Sequence, residues 1–235
     1  MQAEPISQGL WLAPHVEACA LDGQVILLDL LRNRYMAVPE NAALSFEIGG
    51  WPPCGSPKSS KTIDSWRIAR TLQQQGILVA GHVPVRPPRN LPEPKRNVDV
   101  DSNTRQGGGV IGAVRLVSST TAAALWLRHR NLAAIATSII SSRRRQCAAH
   151  GSLMDVDRLS ATYLRLRPLV FTSKDQCLLD SLALLRFLAH WQIAATWVIG
   201  VKTRPFAAHS WLQSDATVLN DYCDRVRQYR PILIV

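Results

Sequence analysis

The sequence predicts an α+β fold in two domains joined by a linker, and three observations predict it. Residues 1–84 begin with three strand-like runs and continue with helical patterns. Residues 85–109 combine several prolines, a polar charged run and three successive glycines, a composition typical of extended, poorly ordered chain. Residues 110–235 hold long helical patterns first and strand-like runs last. The predicted boundaries are therefore 1–84, 85–109 and 110–235.

The first domain is predicted to be small and winged-helix-like. Asp22-Gly23 is a strong hairpin signal between its first two strands, and Gly76 stops its last helix. A short apolar run follows that glycine. The strands are predicted at residues 16–20, 24–29 and 34–38, and the helices at residues 39–47 and 62–75.

The second domain is predicted to contain a helix that begins with a cysteine. Ser173 and Gln176 fit the S-x-x-Q capping box, which places Cys177 in the first turn of the helix or just past it. The helix dipole and the unpaired amides there favour a thiolate over a thiol. Apolar residues continue this helix to about Trp191. The other predicted elements are helices at residues 119–142 and 154–167 and strands at residues 196–201, 207–213 and 217–221.

A histidine and an aspartate are predicted to face each other across the last hairpin. If residues 214–216 form a three-residue loop, the register pairs His209 with Asp221. Directly opposed residues have Cβ atoms about 4.5–5.5 Å apart, which suits a carboxylate that holds an imidazole. Asp215 would lie in the turn. Asp224 is an odd number of residues from Asp221, so on a continued strand it would fall on the other face of the sheet. A cysteine at a helix start, with His and Asp on neighbouring strands, is the arrangement of a nucleophile, its base and its orienter.

A structural interpretation of the same residues is the alternative. A cysteine in an apolar helix is usually a small core residue, and a single histidine on a strand is usually structural. The capped helix and the pairing of His209 with Asp221 together favour the catalytic interpretation of Cys177.

The C-terminal motifs resemble the leader peptidases of lasso-peptide biosynthesis, the B proteins. The residues that carry the resemblance are QCLLDSLALLRFL, VIGVKTRPFAAHSWLQSD and VLND, in that order. The resemblance implies a transglutaminase-like, papain-related cysteine protease domain, in which Cys177 is the nucleophile, His209 the general base and acid, and Asp221 the orienter. The sequence departs from the family at Asp180, where many relatives carry a basic residue.

The same resemblance implies a substrate and a partner. Family members cut the leader from the core of a ribosomally made precursor peptide before macrolactam formation, commonly after a leader with Thr at its penultimate position. The core then passes to a lasso cyclase, which is an asparagine-synthetase-like enzyme. A catalytic thiol needs no cofactor for this reaction, and none is expected.

The N-terminal motifs resemble the RiPP recognition element, a leader-binding module related to the peptide chaperone of pyrroloquinoline quinone synthesis. The segments VILLDLLRNRYMAVPENAALSFE and LQQQGILV carry this resemblance. It implies that a leader peptide adds as a strand beside the third strand and packs on the last helix. Trp66 is also a candidate core residue. The candidate leader-binding residues are Arg34, Tyr35, Met36, Val38, Trp66 and Arg70.

Net charge, hydropathy and cysteine content limit the possible partners and the cellular compartment of the protein. A net charge of +10 is compatible with nucleic acid, an acidic membrane or an acidic peptide, but an Arg-rich solvated helical surface is the favoured interpretation, so no nucleic-acid partner is expected. The most apolar candidate for a membrane span, residues 122–140, is interrupted by basic residues, so no span is expected. Five irregularly spaced cysteines predict no disulfide framework and no metal site. Together with an N-terminus that lacks a signal-peptide pattern, this indicates a reducing cytoplasm.

Two other functions remain open at this point. A transglutaminase-like acyltransferase would use the same three residues, with an amine instead of water as the acceptor. A non-catalytic basic winged-helix binding protein would use none of them. Removal of the Cys177 thiol separates the enzymes from the binding protein, because a binding protein would keep its activity.

Overall fold

The chain forms two compact units, Met1–Arg89 and Asn90–Val235. The computed structural model describes residues 9–39, 48–52, 63–81, 83, 90–99, 110–146, 153–170 and 176–235, apart from the side chains of residues 63–66, 144–146 and 153–155. The second unit therefore begins 20 residues earlier than the boundary predicted at residue 110.

The first unit contains a three-stranded antiparallel sheet in the order β2-β3-β4. Its strands are β2 (Val16–Leu21), β3 (Gln24–Asp29) and β4 (Arg34–Pro39), which confirms the three predicted strands. Asp22 and Gly23 have φ angles of 51° and 72°, so both central residues of the first turn are left-handed, as a two-residue hairpin with the favoured twist requires. Among the described residues, β4 lies at an edge of this sheet.

A second small sheet and one helix complete the described part of this unit. Strand β1 (Leu10–Leu12) lies between β5 (Ile48–Gly49) and β6 (Leu78–Ala80), and helix α1 (Ile63–Gln74) precedes β6. Strand β1 was not predicted, whereas α1 agrees with the predicted helix over residues 62–75. The helix predicted over residues 39–47 lies outside the described residues, except that Pro39 belongs to β4. Apolar residues from both sheets and α1 share one core, among them Leu10, Leu12, Val25, Leu27, Val38, Leu72 and Leu78.

The second unit is built on a five-stranded sheet in the order β11-β8-β9-β10-β7. Strands β10 and β7 are parallel, and the other neighbours are antiparallel. Strands β8 and β9 confirm two predicted strands, whereas β7 and β11 were not predicted. The bounds are β7 (Arg96–Asn97), β8 (Thr196–Thr203), β9 (Phe206–Ser214), β10 (Thr217–Val218) and β11 (Arg230–Ile234).

One helix packs on this sheet and is itself covered by others. Helix α5 (Cys177–Ala189) contacts β8 and β9 and packs against two further helices, α2 (Val110–His129) and α4 (Leu153–Leu166), and several of its side chains are fully buried. Tyr163 of α4, Phe187 of α5 and Trp191 form a chain of tilted aromatic contacts beside it. The helices are α2 (Val110–His129), α3 (Leu132–Gln146), α4 (Leu153–Leu166), α5 (Cys177–Ala189) and the short α6 (Cys223–Val226).

The single helix predicted over residues 119–142 is two helices. The first begins at Val110, nine residues before the predicted start, and residues 130–131 separate it from the second helix. Asn131 caps the second helix, because its side-chain oxygen accepts the amide of Ala134 at 2.9 Å. Asparagine is a strong N-cap residue, so the break has a local cause in the sequence.

The predicted linker needs a correction at residues 90–99, which belong to the second unit. Strand β7 pairs with β10, and Val98 is buried. The carbonyl oxygens of Pro92 and Pro94 accept hydrogen bonds from Gln213 and Arg227, at 2.6 Å for each closest contact. Proline lacks a backbone donor but keeps its acceptor, so a Pro-rich segment can be held by side-chain donors of the domain that it crosses.

Helix α2 meets the length and composition of a membrane span. Among the residues that the structure describes, it is the one helix that does so, with a mean hydropathy of 1.5 in its most apolar window. The expectation that no segment of the chain has such properties is therefore not confirmed. Core helices of soluble proteins share this length and composition, so these two properties alone do not assign α2 to a membrane.

Candidate active site

Cys177 is the first residue of α5. The helix begins there with Gln176 as its N-cap, and no side-chain hydrogen bond caps it. The predicted capping box is therefore wrong for Gln176, which would have to be the third helical residue; Ser173 lies outside the described residues. The prediction that Cys177 falls in the first turn is confirmed. The amides of this turn have no partner within the helix, and the positive end of the helix dipole faces the thiol.

The last hairpin has a shorter loop than predicted. Thr217 pairs with Ser214, and Val218 pairs with Gln213. The loop is therefore Asp215-Ala216, and the predicted register is wrong by one residue. Asp215 has a φ of 47°, a conformation that aspartate adopts more readily than most residues. With two residues in the loop, continued strand pairing would not place residue 221 opposite residue 209.

Asp221 nevertheless reaches His209, because the strand does not continue. Strand β10 ends at Val218, the Leu219 amide still donates to the Leu212 carbonyl at 2.9 Å, and the chain bends over residues 219–221. The Asp221 Oδ2 atom lies 2.5 Å from His209 Nε2. The structure thus brings together the two residues that the sequence paired, by a bend after a short strand and not by the predicted register.

The imidazole of His209 links the carboxylate to the thiol. Its Nε2 atom faces Asp221, which leaves Nδ1 for Cys177. Burial lowers the pKa of His209, but hydrogen bonds with Asp221 and Cys177 outweigh it and raise that pKa to about 9. Burial raises the pKa of Cys177, but hydrogen bonds to His209 and to the backbone of Ser210 outweigh it, so that pKa lies below its usual value. Both shifts favour a thiolate–imidazolium pair.

The carboxylate of Asp221 is held in its charged form. Burial raises its pKa, but the hydrogen bond with His209 and the amide of Tyr222, which donates to Oδ1 at 2.8 Å, lower it below its usual value. Arg225 Nη1 lies 3.7 Å from Oδ2 and adds a positive charge. An ionised carboxylate at this place favours the imidazolium form of His209.

Two aromatic rings and one glycine position the His209 ring. The ring of Trp211 lies nearly parallel to it at 6.1 Å, and the ring of Tyr229 lies 5.1 Å away. Gly200 pairs with His209 across β8 and β9. A Cβ atom at Gly200 would lie 2.8 Å from both Trp211 Cζ3 and Tyr229 Cβ, so only glycine lets these aromatic residues approach.

A polar cavity of about 310 Å³ lies beside the three residues. It gives a substrate access to the Cys177 side chain, which is partly exposed. Its other walls carry charges of both signs and several hydrogen-bonding groups. They are formed by Arg167, Gln176, Asp180, Ser210, Asn220, Tyr222 and Arg225.

Sequence reasoning singled out Asp180 only as a departure from a family pattern. In the structure its carboxylate is buried and accepts hydrogen bonds from Tyr163, Arg167 and Asn220. Neither Arg167 nor Asn220 was a candidate. Asn220 lies in the VLND motif, directly before Asp221, and that place was the signal that could have found it; no motif marked Arg167.

The candidate leader-binding residues lie in the first unit. Arg34 and Arg70 are exposed, and Tyr35 is half-buried. Val38 is 5% exposed and packs in the core, with Met36 packed against the same cluster. This corrects the expectation for the Val38 side chain, which is not available to a peptide; the β4 backbone and its other side chains remain candidates. The side chain of Trp66 lies outside the described residues.

Comparison with known proteins places the second unit in a family. The model of the transglutaminase-like superfamily matches residues 115–234, just over half of the chain. The chain belongs to the transglutaminase-like superfamily. Members of this superfamily are generally cysteine proteases or acyltransferases. The matched residues include Cys177, His209 and Asp221.

A short segment of this superfamily member also resembles one curated relative. Over 48 residues it is 48% identical to the microcin J25-processing protein McjB of Escherichia coli. The aligned segment covers 20% of the chain and 23% of that protein, so less than a quarter of the relative is matched. No solved structure matches the chain significantly. In the described part of this transglutaminase-like protein, no cluster of three or more His, Cys, Asp or Glu is arranged to hold a metal ion.

Proposed function

We propose that the protein is a cysteine peptidase that cuts the leader from the core of a lasso-peptide precursor before macrolactam formation. The observation that carries the proposal is the contact chain from Cys177 through His209 to Asp221, with the thiol pKa lowered and the imidazole pKa raised. A structural cysteine would gain nothing from this arrangement.

The reaction follows from the positions of the three side chains. The Cys177 thiolate attacks the carbonyl carbon of the scissile peptide bond, and the resulting oxyanion would be stabilised by the Cys177 backbone amide at the helix N-terminus and by Gln176 on the cavity wall. The His209 imidazolium donates its proton to the leaving amine, so the C–N bond breaks and the leader remains as a thioester. Neutral His209 then takes a proton from water, whose oxygen attacks the thioester; the C–S bond breaks, the leader leaves as a carboxylic acid, and the thiolate–imidazolium pair is restored.

The choice of a lasso precursor rests on the motifs around Cys177 and His209. The similarity to the microcin J25-processing protein supports the same choice. We extend the proposal to a lasso cyclase as the partner that receives the new core N-terminus, and to the cytoplasm as the compartment, where the thiol stays reduced. We propose no role in nucleic-acid binding.

The first unit is proposed to be a winged-helix-like leader-binding domain. Its three-stranded sheet offers β4 as an edge strand among the described residues, and α1 follows in the chain. An extended leader can add to such an edge through main-chain hydrogen bonds. The exposed Arg34 would then contact acidic or polar groups of the leader. Capture by this unit raises the concentration of the scissile bond near Cys177.

The test is cleavage of a purified precursor peptide. Wild-type protein should release a leader and a core whose masses locate one cut site. Cys177→Ala should leave the precursor intact while binding it with unchanged affinity, because the thiol acts in bond-making. Cys223→Ala is the matched control, since Cys223 is also free but buried away from the cavity, and it should cleave. Cleavage by purified Cys177→Ala would overturn the proposal.

Transglutaminase-like acyl transfer is the second candidate, favoured by the superfamily match. The same thioester would then be attacked by an amine instead of water. Addition of a primary amine to the cleavage reaction distinguishes the two outcomes. A leader that ends in a free carboxylate indicates a peptidase, and a leader that ends in an amide of the added amine at low amine concentration indicates a transferase.

A further inference from the structure

A buried hydrogen-bond network lies directly behind the candidate active site. The Asp180 carboxylate, on the third helical residue after Cys177, is its centre. Tyr163 donates its hydroxyl to Oδ1 at 3.0 Å, and Arg167 Nη1 donates to Oδ2 at 3.1 Å. Asn220 Nδ2 also donates to Oδ2, at 2.9 Å. A buried carboxylate is costly unless such donors surround it, so this one has a defined set of partners.

Asn220 joins this network to the sheet. Its Oδ1 atom accepts the backbone amide of Leu212 at 2.8 Å, and its Nδ2 atom donates to Asp180 and, at 3.2 Å, to Ser181. One side chain therefore connects β9 to α5. The carbonyl of Asn220 also accepts from Arg167 at 3.3 Å, so both its backbone and its side chain are held.

We propose that Asp180 and Asn220 are positioning residues that hold Asp221 against His209. Asp221 follows Asn220 directly, where the chain bends after the short strand β10. The Leu219 amide still donates to the Leu212 carbonyl at 2.9 Å, and the next residue, Asn220, is held by its side-chain contacts and by the Arg167 hydrogen bond to its carbonyl. This inference rests on the proposed function, because it concerns the same three catalytic residues.

The groups that face His209 and Asp221 determine how the proposal can be tested. They are the thiol of Cys177, the phenol of Tyr229, and the guanidinium groups of Arg225 and Arg167 on the cavity wall. Asp180 lies behind them, and burial raises its pKa above the usual value although Arg167, Asn220 and Tyr163 oppose that rise. Cys177 and Asp221 contact the imidazole directly and change its pKa by that contact. Asp180 does not contact the imidazole, and we expect it to act through Asn220 and Asp221.

The His209 pKa provides a measurement that separates positioning from charge. If Asp221 moves away from the imidazole, the imidazolium loses its partner and the His209 pKa falls from about 9 towards 6.5. A new negative charge near an intact pair would raise that pKa instead. A variant that adds a negative charge while it breaks the network should therefore lower the His209 pKa if the network positions Asp221. The same variant should raise that pKa if only the added charge matters.

Asn220→Asp is that variant. It is isosteric and keeps the oxygen that accepts Leu212, but it places a carboxylate against the Asp180 carboxylate and removes the donor. The experiment is titration of the His209 ring by NMR in the full-length protein. We expect the His209 pKa to fall by at least one unit, which lowers the ratio of imidazolium to neutral imidazole at a fixed pH about tenfold. An unchanged or raised pKa would overturn the proposal.

The reciprocal exchange tests the contact itself. Asp180→Asn combined with Asn220→Asp restores one donor and one acceptor at this contact and keeps the wild-type net charge. The His209 pKa should return towards about 9. If Asn220→Asp does not fold, Asn220→Ala breaks the same contacts without changing the net charge and should also lower that pKa; a value that stays at about 9 counts against the proposal.

The control is Asp157→Asn, in the same unit. Asp157 pairs with Arg96 at 2.7 Å and takes no part in the network, so its loss should leave the His209 pKa unchanged. The measurement uses no peptide substrate. Absence of precursor cleavage by the wild type would contradict the proposed function but not this result, and an unmoved His209 pKa would contradict the positioning role but not the proposed function.

Discussion

His209 and Asp221 are in contact across a hairpin in which they are not pairing partners. Their Nε2 and Oδ2 atoms lie 2.5 Å apart, although the two-residue loop at Asp215-Ala216 puts the two residues out of register. The contact exists because the chain bends over residues 219–221, where the Leu219 amide makes a further backbone hydrogen bond to Leu212. The position of the carboxylate thus depends on a short bend, and a change within that bend should affect the imidazole more than a change elsewhere in the hairpin.

The first prediction compares the aspartates of this region. Asp221→Asn should lower the single-turnover cleavage rate by at least about 100-fold, since loss of the corresponding carboxylate in a serine-protease triad costs about 10⁴-fold and a thiolate–imidazolium pair retains part of its stability without it. Asp215→Asn should be nearly neutral, because Asp215 is an exposed turn residue. Asp224→Asn should be neutral too, since Asp224 is 95% exposed and pairs with Arg227. A larger loss at Asp215 than at Asp221 would contradict the assignment.

The second prediction concerns the pH dependence of thiol reactivity. The Cys177 pKa is lowered, so its thiolate forms at a lower pH than that of an ordinary cysteine, and alkylation by iodoacetamide should persist at pH 6 to 7. Cys223 is a control within the same molecule, because burial raises its pKa. Peptide mapping should show alkylation of Cys177 long before Cys223.

His209→Gln should remove that advantage. Without the imidazolium, the thiol loses its hydrogen bond and its nearby positive charge, so its pKa rises. Its alkylation at pH 6 to 7 should fall by up to about tenfold for each unit by which that pKa rises. Equal alkylation of wild type and His209→Gln across this range would show that the two side chains do not form an ion pair.

The third prediction concerns Gly200. Gly200→Ala should lower the free energy of unfolding by about 1–3 kcal/mol, because its Cβ atom would overlap Trp211 and Tyr229. It should also slow alkylation of Cys177, since those rings position His209. Gly76→Ala is the control: its φ of 71° makes the substitution cost about 1 kcal/mol in the first unit, but nothing lies near its Cβ and Cys177 reactivity should be unchanged.

The fourth prediction concerns the two units. A fragment of residues 90–235 should fold and should cleave the precursor slowly until residues 1–89 are added. A fragment of residues 110–235 should be less stable, because it lacks strand β7 and the acceptors of Pro92 and Pro94. Thermal unfolding of the two fragments tests this directly. Equal stability would show that residues 90–99 do not contribute to the second unit.

Local signals in the sequence were sufficient for several elements. The Asp22-Gly23 turn, the continuous apolar run of β3 and the glycine that follows α1 are determined within a few residues, so their predictions agree with the structure. Strands β7 and β11 were missed because each is short and depends on a partner far along the chain. A two-residue strand has no periodicity from which it could be recognised.

The candidate site shows the same division. The order of Cys177, His209 and Asp221 could be found from the sequence, because a helix start and two strand runs limit their positions. The hairpin register could not, since Asp215 and Ser214 are equally acceptable turn residues and one residue decides the loop. The network around Asp180 could not be found either, because its members come from separate parts of the chain and share no local pattern.

Capture of the acyl-enzyme tests the central claim most directly. Wild-type protein in excess is mixed with precursor peptide, quenched in acid within the first turnover and mapped by mass spectrometry. We predict that the peptide containing Cys177 carries the mass of the leader acyl group and that this adduct is absent from Cys177→Ala. In Asp221→Asn the adduct should accumulate, because His209 then hydrolyses the thioester more slowly. Precursor cleavage by the wild type with no adduct at Cys177, or with the same rate in Cys177→Ala, would contradict the central claim.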